Sequence, residues 1–443
     1  MGFNSQAGQV GFGIQSIKGT AVPATRFARL RSGSLSGERS LLVPDPEIGG
    51  NRDIPGAYLG PVTFGGELAY YPRAQMLALL AYAALGEKAS SSIAGTNEIQ
   101  TITVTGTPTG GSFKLRFRGQ TTATIAYNAT SAAVDTALEA LSLIGVGGVV
   151  SAGGPLPGTP ITMTFSAAPY AGTNVPPVSV VAKALTGGTT PDVTVSASTP
   201  GVPAVGTHII TPADTIPWVS IEERIGPASG EFESFQYKDG KVNTLHLEAD
   251  ATGFVMGTSN LFALSQVSGF TEQTAPAWDA TPMMVGGEVL VSFGGTTLPA
   301  NTFALDINNN LETDNFVLGS VFAQDATEKR REVKMTCGYR PADSTLWKAA
   351  MYGNTGLTSP IAGPAYRGAA SIAFTTYETI GDVIAGTPFS VLIEMPDVVI
   401  TPYKVNPSGD DVLSTDLEFT MVRPDAAVAP ITITVVNDLA QVT

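Results

Sequence analysis

The chain has a single cysteine, Cys337, and only two histidines, His208 and His246. One cysteine cannot close an intrachain disulfide. Three such residues are too few for a four-ligand His/Cys metal site, and they leave little for a Ser-His-Asp triad. Charge is scarce as well. Only 14% of residues are Asp, Glu, Lys or Arg, and 38 acids against 24 bases give a net charge of −14. Nucleic-acid affinity comes from neutralising phosphates, so an acidic chain grips polyanions poorly; an acidic surface instead lets a polyanion slide past. Long apolar runs are missing. The longest, Met76–Leu85, is about half of the ~20 residues a bilayer span requires. The start, Met1-Gly-Phe-Asn-Ser-Gln-Ala-Gly8, lacks the charged region and apolar core of a signal peptide, and Gln6 stands where myristoylation needs Ser or Thr. The expectation is a soluble protein made without export and without membrane contact.

What is plentiful is Gly (49), Pro (31), Thr, Val and Ala, with 43% hydrophobic residues over a length of 443. This is a turn-rich, β-leaning composition, apolar enough to fold and long enough for two or three domains. One pattern occurs twice. Glu67-Leu-Ala-Tyr-Tyr71 is followed by Pro72, an apolar stretch from Met76 and Gly86. Val333-Lys-Met-Thr-Cys337-Gly-Tyr339 is followed by Pro341, then Leu346-Trp347-Lys-Ala-Ala-Met351-Tyr352 and Gly353. Each reads as a strand, a proline break, one helix and a glycine stop. Met76, Leu79 and Leu80 would face the core in the first helix, and Leu346, Trp347 and Met351 in the second. The alternation of Met335, Cys337 and Tyr339 makes the cysteine a small buried hydrophobe.

Residues 36–60 form a long stretch that mixes Pro44 and neighbouring prolines and glycines with Leu41, Leu42, Val43, Ile48, Arg52, Ile54, Tyr58 and Leu59. Loops of this length are functional or disordered, and the apolar content argues against disorder. The stretch is expected to pack on a neighbouring subunit rather than fold back. After Gly86 a polar linker, Ala89-Ser-Ser-Ser92, introduces Thr/Val strands with Gly-rich turns and one helix, Ser131–Leu141, capped by Thr130. This segment is charge-neutral. Lys114, Arg116, Arg118 and Lys183 balance Glu98, Asp135, Glu139 and Asp192, so the rest of the chain carries the whole −14. It reads as an inserted domain. The predicted organisation is a first unit over 1–95 and 205–285, an insert over 96–204, and a second unit over 286–443. Residues 1–35 are read as an extended arm and a first strand, Asp239-Gly240 as a hairpin turn, and Ile431–Val436 as a last strand pairing across a subunit boundary.

Several motifs fail on inspection. Lys18-Gly-Thr20 reverses the order of a phosphate-binding loop. Asp306, Asn308 and Asn310 have calcium-loop spacing, but Leu311 and Val317 stand where Gly and Glu are required. The carboxylate pairs Glu222-Glu223, Glu231/Glu233 and Asp410-Asp411 read as solvated surface rather than a glycosidase pair. No catalytic residue, metal ligand or cofactor is assigned.

Gly19-Thr-Ala-Val-Pro-Ala-Thr-Arg-Phe27, then Gly50-Asn-Arg-Asp-Ile-Pro-Gly-Ala-Tyr58-Leu-Gly60-Pro61, then Gly66-Glu-Leu68 and a helix closing on Gly86, resemble the tail tube proteins of long non-contractile tailed phages (siphophage major tail proteins). The likeness is carried mainly over 10–86 and again over 235–265. The insert, with Thr105-Gly-Thr-Pro-Thr-Gly-Gly-Ser-Phe113 and Ala171-Gly-Thr-Asn-Val-Pro-Pro177, resembles a decoration domain found in virion proteins of phages of actinobacteria. The resemblance implies mainly-β sandwich or barrel units flanked by a helix, joined into a β-lined tube whose acidic lumen passes DNA without specific binding. It implies rings of six units. Two units per chain would then give three chains per ring with pseudo-sixfold symmetry, the alternative being a hexamer. It further implies tail terminator and tail tip proteins as partners, a place in the virion tail, assembly in the host bacterial cytoplasm, and an insert on the tube exterior for decoration or host-surface adhesion. The rival readings are another phage structural protein or adhesin of a baseplate or spike and, more remotely, a β-rich glycoside hydrolase.

Overall fold

Runs of alternating apolar and polar residues bounded by Gly and Pro become strands. The computed structural model has 26 strands and three α-helices among the residues it describes, which are 8–442 apart from 46, 49–52, 55, 169, 227–232, 271–272, 274–275, 382–385, 406–413 and 425–427. The first part contains β1 (Gln9–Gln15), β2 (Arg26–Ala28), β3 (Leu30–Gly33), β4 (Ser36–Leu42), β5 (Tyr58–Tyr70), α1 (Ala74–Leu85) and β6 (Gly86–Ile93). Next come β7 (Ile99–Thr105), β8 (Gly110–Phe117), β9 (Gln120–Thr121), β10 (Ile125–Ala126), α2 (Ser131–Glu139), β11 (Val150–Gly153), β12 (Ile161–Thr164), β13 (Ser179–Thr186) and β14 (Asp192–Thr199). The chain continues with β15 (Val205–Pro212), β16 (Trp218–Ile225), β17 (Glu233–Asp250), β18 (Met256–Ser268), β19 (Val289–Phe293), β20 (Thr296–Thr297), β21 (Ala300–Asn308) and β22 (Glu332–Tyr339). It closes with α3 (Thr345–Tyr352), β23 (Arg367–Ile380), β24 (Thr387–Ile400), β25 (Thr415–Met421) and β26 (Thr432–Asn437).

The strands outside 99–199 belong to one large antiparallel network, and two stretches of it follow the same path. One runs β1–β16–β17–β18–β5, with β3 and β4 on the far edge of β5. The other runs β19–β23–β24–β25–β22, with β21 on the far edge of β22. In each, the strand next to last leads into a helix that stops on a left-handed glycine, Gly86 at φ 105° and Gly353 at φ 77°. At Gly86 a Cβ would also meet the Thr215 carbonyl oxygen at 2.5 Å, so glycine is required twice over. The two paths are joined where Thr244–Asp250 of β17 pairs with Thr302–Asn308 of β21. They are joined again through β24–β26–β15–β6. A single apolar core runs through both.

Residues 99–199 have two sheets of their own, β10-β8-β13 with β9, and β11-β12-β7-β14. Their core is separate, with Phe113, Phe117, Val134, Leu138, Ile161, Met163 and Phe165 at its centre. Thr130 caps α2 by accepting from the Ala133 N–H at 3.3 Å.

Long-range pairing overrides several local readings. The serine-rich stretch after Gly86 is no linker but strand β6, because residues 205–212 supply it with a partner. The Thr96 and Val202 backbones then exchange two hydrogen bonds, so a two-stranded ribbon carries the insert. Residues 9–15 are no free arm; they pair with β16. Asp239-Gly240 is no hairpin turn. Tyr237–Gly240 oppose Val219–Ile221, so one extra residue bulges inside the continuous strand β17. Asp239 takes φ 55° there and its carboxylate accepts from Gly19 N and Gln15 Nε2. The last strand pairs within the chain, between β15 and β24. Glu222 and Glu223 are buried rather than solvated. Glu231, Asp410 and Asp411 lie outside the described residues.

Candidate assembly surfaces

The stretch read as a long loop is largely a hairpin. β4 pairs with β5 from Ser36↔Gly65 to Leu42↔Tyr58, and Arg39 Nε donates to the Gly60 carbonyl at 3.0 Å. β5 holds β18 only as far as Phe64, so the hairpin projects. Its apolar side chains are bare: Leu41, Leu42, Val43, Ile48, Ile54, Tyr58 and Leu59 are 47–108% exposed. Pro44 is exposed beside them, and Arg52 lies outside the described residues.

The matching connection of the second path, between β21 and β22, is held by the first. Its Phe322 stacks on Phe64, with ring centres 6.2 Å apart and planes 22° apart. Val62 N donates to Val321 O at 2.9 Å. Ala323 and Ala326 pack with Phe262, Leu264, Trp218 and Phe316. Lys241 lies under this connection. Its ammonium donates to Glu328 Oε1 at 2.6 Å and to the Ala326 carbonyl at 2.8 Å, and sits 4.2 Å from the Trp218 ring centre. Burial pushes the Glu328 carboxyl up, but the Lys241 bond and the Ile216 N–H outweigh it and hold it below its usual value. Composition gave no hint of this clamp, because its members are far apart in sequence.

The two helices differ. Eleven of the twelve α1 residues are buried, Met76, Leu79 and Leu80 among them. Nothing in Ala74–Leu85 is charged, and a helix apolar on all sides belongs in a core. Asp279 Oδ2 accepts from Met76 N at 2.7 Å at its start. At its end, the Arg331 guanidinium reaches the Leu85 and Ala213 carbonyls, and Asn309 Nδ2 donates to Ala84 O. A cation there also suits the helix dipole. In α3 only Ala349 is buried. Leu346 packs against the core, Trp347 is half-buried and meets Tyr352 edge-on, and Met351 is 40% exposed.

The root of the projecting hairpin is tied by Glu223. The Tyr237 hydroxyl lies 2.8 Å from the Leu35 carbonyl and 3.2 Å from Glu223 Oε2, and Gln266 donates to it. Burial pushes the Glu223 carboxyl up to about 7, against the hydrogen bonds from Tyr237 and the Leu35 N–H. Between its unfolded value near 4.5 and about 7 the folded state binds the extra proton, so this group's contribution to stability falls as pH rises through that window. Glu223→Gln is therefore expected to stabilise the chain by on the order of 2–3 kcal/mol at pH 8 and by nearly nothing at pH 4.5. Urea midpoints at both pH values check this; equal shifts at the two would refute it. Glu222, its neighbour, accepts from Ala24 N at 3.1 Å.

Among the described residues no group of three or more His, Cys, Asp or Glu could hold a metal ion. No helix among them is long and apolar enough to cross a membrane. Asp306 and Asn308 lie on β21, and Asp306 bonds His246 Nδ1 at 2.6 Å, which gives that histidine a partner on its strand face. Cys337 is buried. What the described residues do offer is a row of bare apolar side chains on the β4–β5 hairpin.

Residues 211–421 match the family model described as phage tail tube protein. The match begins in β15 and ends with β25, so it crosses from one path of the sheet into the other. It omits residues 10–86, where the sequence resemblance was most evident, and includes the region after 265, where that resemblance was thin. A 106-residue stretch, 24% of this chain, is 39% identical to a tail sheath protein of Mycobacterium phage Bxz1, of which it covers 17%. The chain thus spans about a sixth of that relative's length. The matches support a structural protein of a phage tail.

Proposed function

We propose that the chain is a tail tube subunit that polymerises into stacked rings around a hollow, acidic conduit for DNA. The carrying observation is the sheet path that occurs twice, strand for strand, each time with a helix ending on a left-handed glycine. We read this as two tube-wall units in one chain, 1–95 with 205–285 and 286–443, so that three chains complete a pseudo-sixfold ring. The clamp between the halves, built on Lys241 and Phe322, would be the contact made inside the chain. The bare hairpin at Leu41–Leu59 would serve contacts between chains. The match to the tube family over 211–421 supports the tube reading.

The separate core of 99–199 and its ribbon tether support an insert on the tube exterior, for decoration or adhesion. Tail terminator and tip proteins would cap the tube, DNA would pass without specific contacts, and no catalysis is assigned. Negative-stain microscopy of the purified chain is the test. Rings or tubes with a central hole and three chains per ring are expected. A compact monomer at high concentration would overturn the tube, and six chains per ring would overturn the two-unit reading.

A further inference from the structure

The insert is neutral as a whole, but its charges are sorted by place. All four of its bases belong to the β10–β8–β13 sheet and its turns: Lys114 and Arg116 on β8, Arg118 in the turn that follows, and Lys183 on β13. Its four acids are spent elsewhere. Glu98 is buried and accepts from the Gly201 N–H at 2.7 Å. Asp135 accepts from the Ser151 N–H and Glu139 from the Gly147 N–H, each at 2.7 Å. Asp192 pairs with Lys183 at 2.6 Å. Lys114, Arg116 and Arg118 thus have no carboxylate partner among the described residues.

These three cations stand in a row. Phe113, Leu115 and Phe117 of β8 are buried in the core of the insert, so Lys114 and Arg116 follow the outer face. Alternate residues of a strand are about 7 Å apart, and the row ending at Arg118 spans about 13 Å. Beside Arg116 on the neighbouring strands are Thr121 and Ser179, and beside Lys114 is Val181. None of these neighbours is acidic or aromatic. The turn gives a second observation. Arg118 and Gly119, between Phe117 and its partner Gln120, have φ of 43° and 90°. A two-residue turn with both centres left-handed favours Asn at the first, so arginine is a costly choice there. Its guanidinium is exposed and lies 5.4 Å from the Tyr170 ring centre, with its charge open to solvent.

We propose that the Lys114–Arg116–Arg118 row binds a linear cell-surface glycan whose sugars or polyols are joined by phosphodiesters. Charge complementarity carries the assignment. Cations repeated along an extended strand meet anions repeated along an extended polymer, and arginine forks suit phosphate oxygens. The Thr121 hydroxyl can serve a sugar hydroxyl as donor or acceptor. The insert is neutral and the rest of the chain carries the whole −14, which repels the same polymer and confines binding to the insert. Single-stranded nucleic acid fits less well, because it calls for rings on which bases stack. This rests on the reading of the insert as an exterior, adhesive domain and names its ligand.

The test measures binding of the full-length chain by biolayer interferometry to immobilised poly(glycerol phosphate), to dextran and to oligothymidylate. The parent should bind poly(glycerol phosphate), and binding should weaken steeply as NaCl is raised. Lys114→Gln with Arg116→Gln and Arg118→Gln should weaken it by about tenfold or more. Lys329→Gln with Arg330→Gln and Arg340→Gln removes as many charges from exposed positions outside the insert and should bind like the parent. Circular dichroism should show both variants folded. Several results would overturn the proposal: a parent that ignores poly(glycerol phosphate), equal losses in the two variants, dextran bound as tightly, or oligothymidylate bound more tightly. So would a row variant that alters sedimentation but not polymer binding, since that would give the row to contacts between copies. Negative-stain images separate the two readings. Binding through the row by a chain that forms no tube leaves the glycan site standing, and inserts seen outside a tube that ignores the polymer overturn the ligand alone.

Discussion

Lys241→Ala is expected to cost about 3–5 kcal/mol, because it leaves Glu328 buried without its cation. The two side chains are 6% and 13% exposed and 2.6 Å apart, so water replaces the lost contact poorly. The substitution also removes the donor to the Ala326 carbonyl and the cation over the Trp218 ring. The loss should loosen residues 316–328 from the first half of the chain, and it should appear as a large fall in the urea midpoint and as faster amide exchange around Ala326. Lys241→Met with Glu328→Gln should cost much less than the alanine substitution alone, since a buried ion pair exchanged for neutral groups of similar size is often tolerated. A change below about 1 kcal/mol for Lys241→Ala would show that the pair is solvated and that the halves are held by apolar packing alone.

Leu79→Ala should cost about 2–5 kcal/mol, the range for deleting a fully buried leucine whose cavity cannot collapse. Leu79 is 0% exposed in a helix packed against β17, β15 and β26. The same truncation at Met351 should cost under about 1 kcal/mol, because Met351 is already 40% exposed. Thermal or urea denaturation of the two variants under one condition measures the contrast. Equal costs would mean that α3 is covered in solution by another copy and that its open face belongs to an assembly contact.

That contrast also shows how far each helix could be read in advance. Both helices, their proline-marked starts and their glycine stops were legible from local chemistry. The apolar run Met76–Leu85 also pointed to a core-facing helix. The degree to which α3 is covered was not legible, since it depends on whether other strands lie over it. The hairpin at 36–65 was visible only as an apolar stretch that needed a partner. Its β4 half has a polar beginning, Ser36-Gly-Glu-Arg-Ser40, and becomes a strand because β5 is long enough to receive it. Glu222 and Glu223 read as surface from their charge. They are buried because loops 19–25 and 34–36 deliver backbone N–H groups to them, and a sequence does not display such an arrangement.

The chain by itself determined what its residues prefer locally: a mainly-β fold, three helices with the Thr130 cap and the Gly86 and Gly353 stops, the charge neutrality of the stretch at 96–204, and the scarcity of cysteine and histidine. These follow from side-chain shape, alternation and composition, which act over a few residues. Only the tertiary structure decided which strands pair, that one path is followed twice, that β26 is spent inside the chain, and that Lys241 meets Glu328. It also decided which apolar residues are left bare. Those outcomes depend on contacts between residues hundreds of positions apart, where each partner's burial is set by the other.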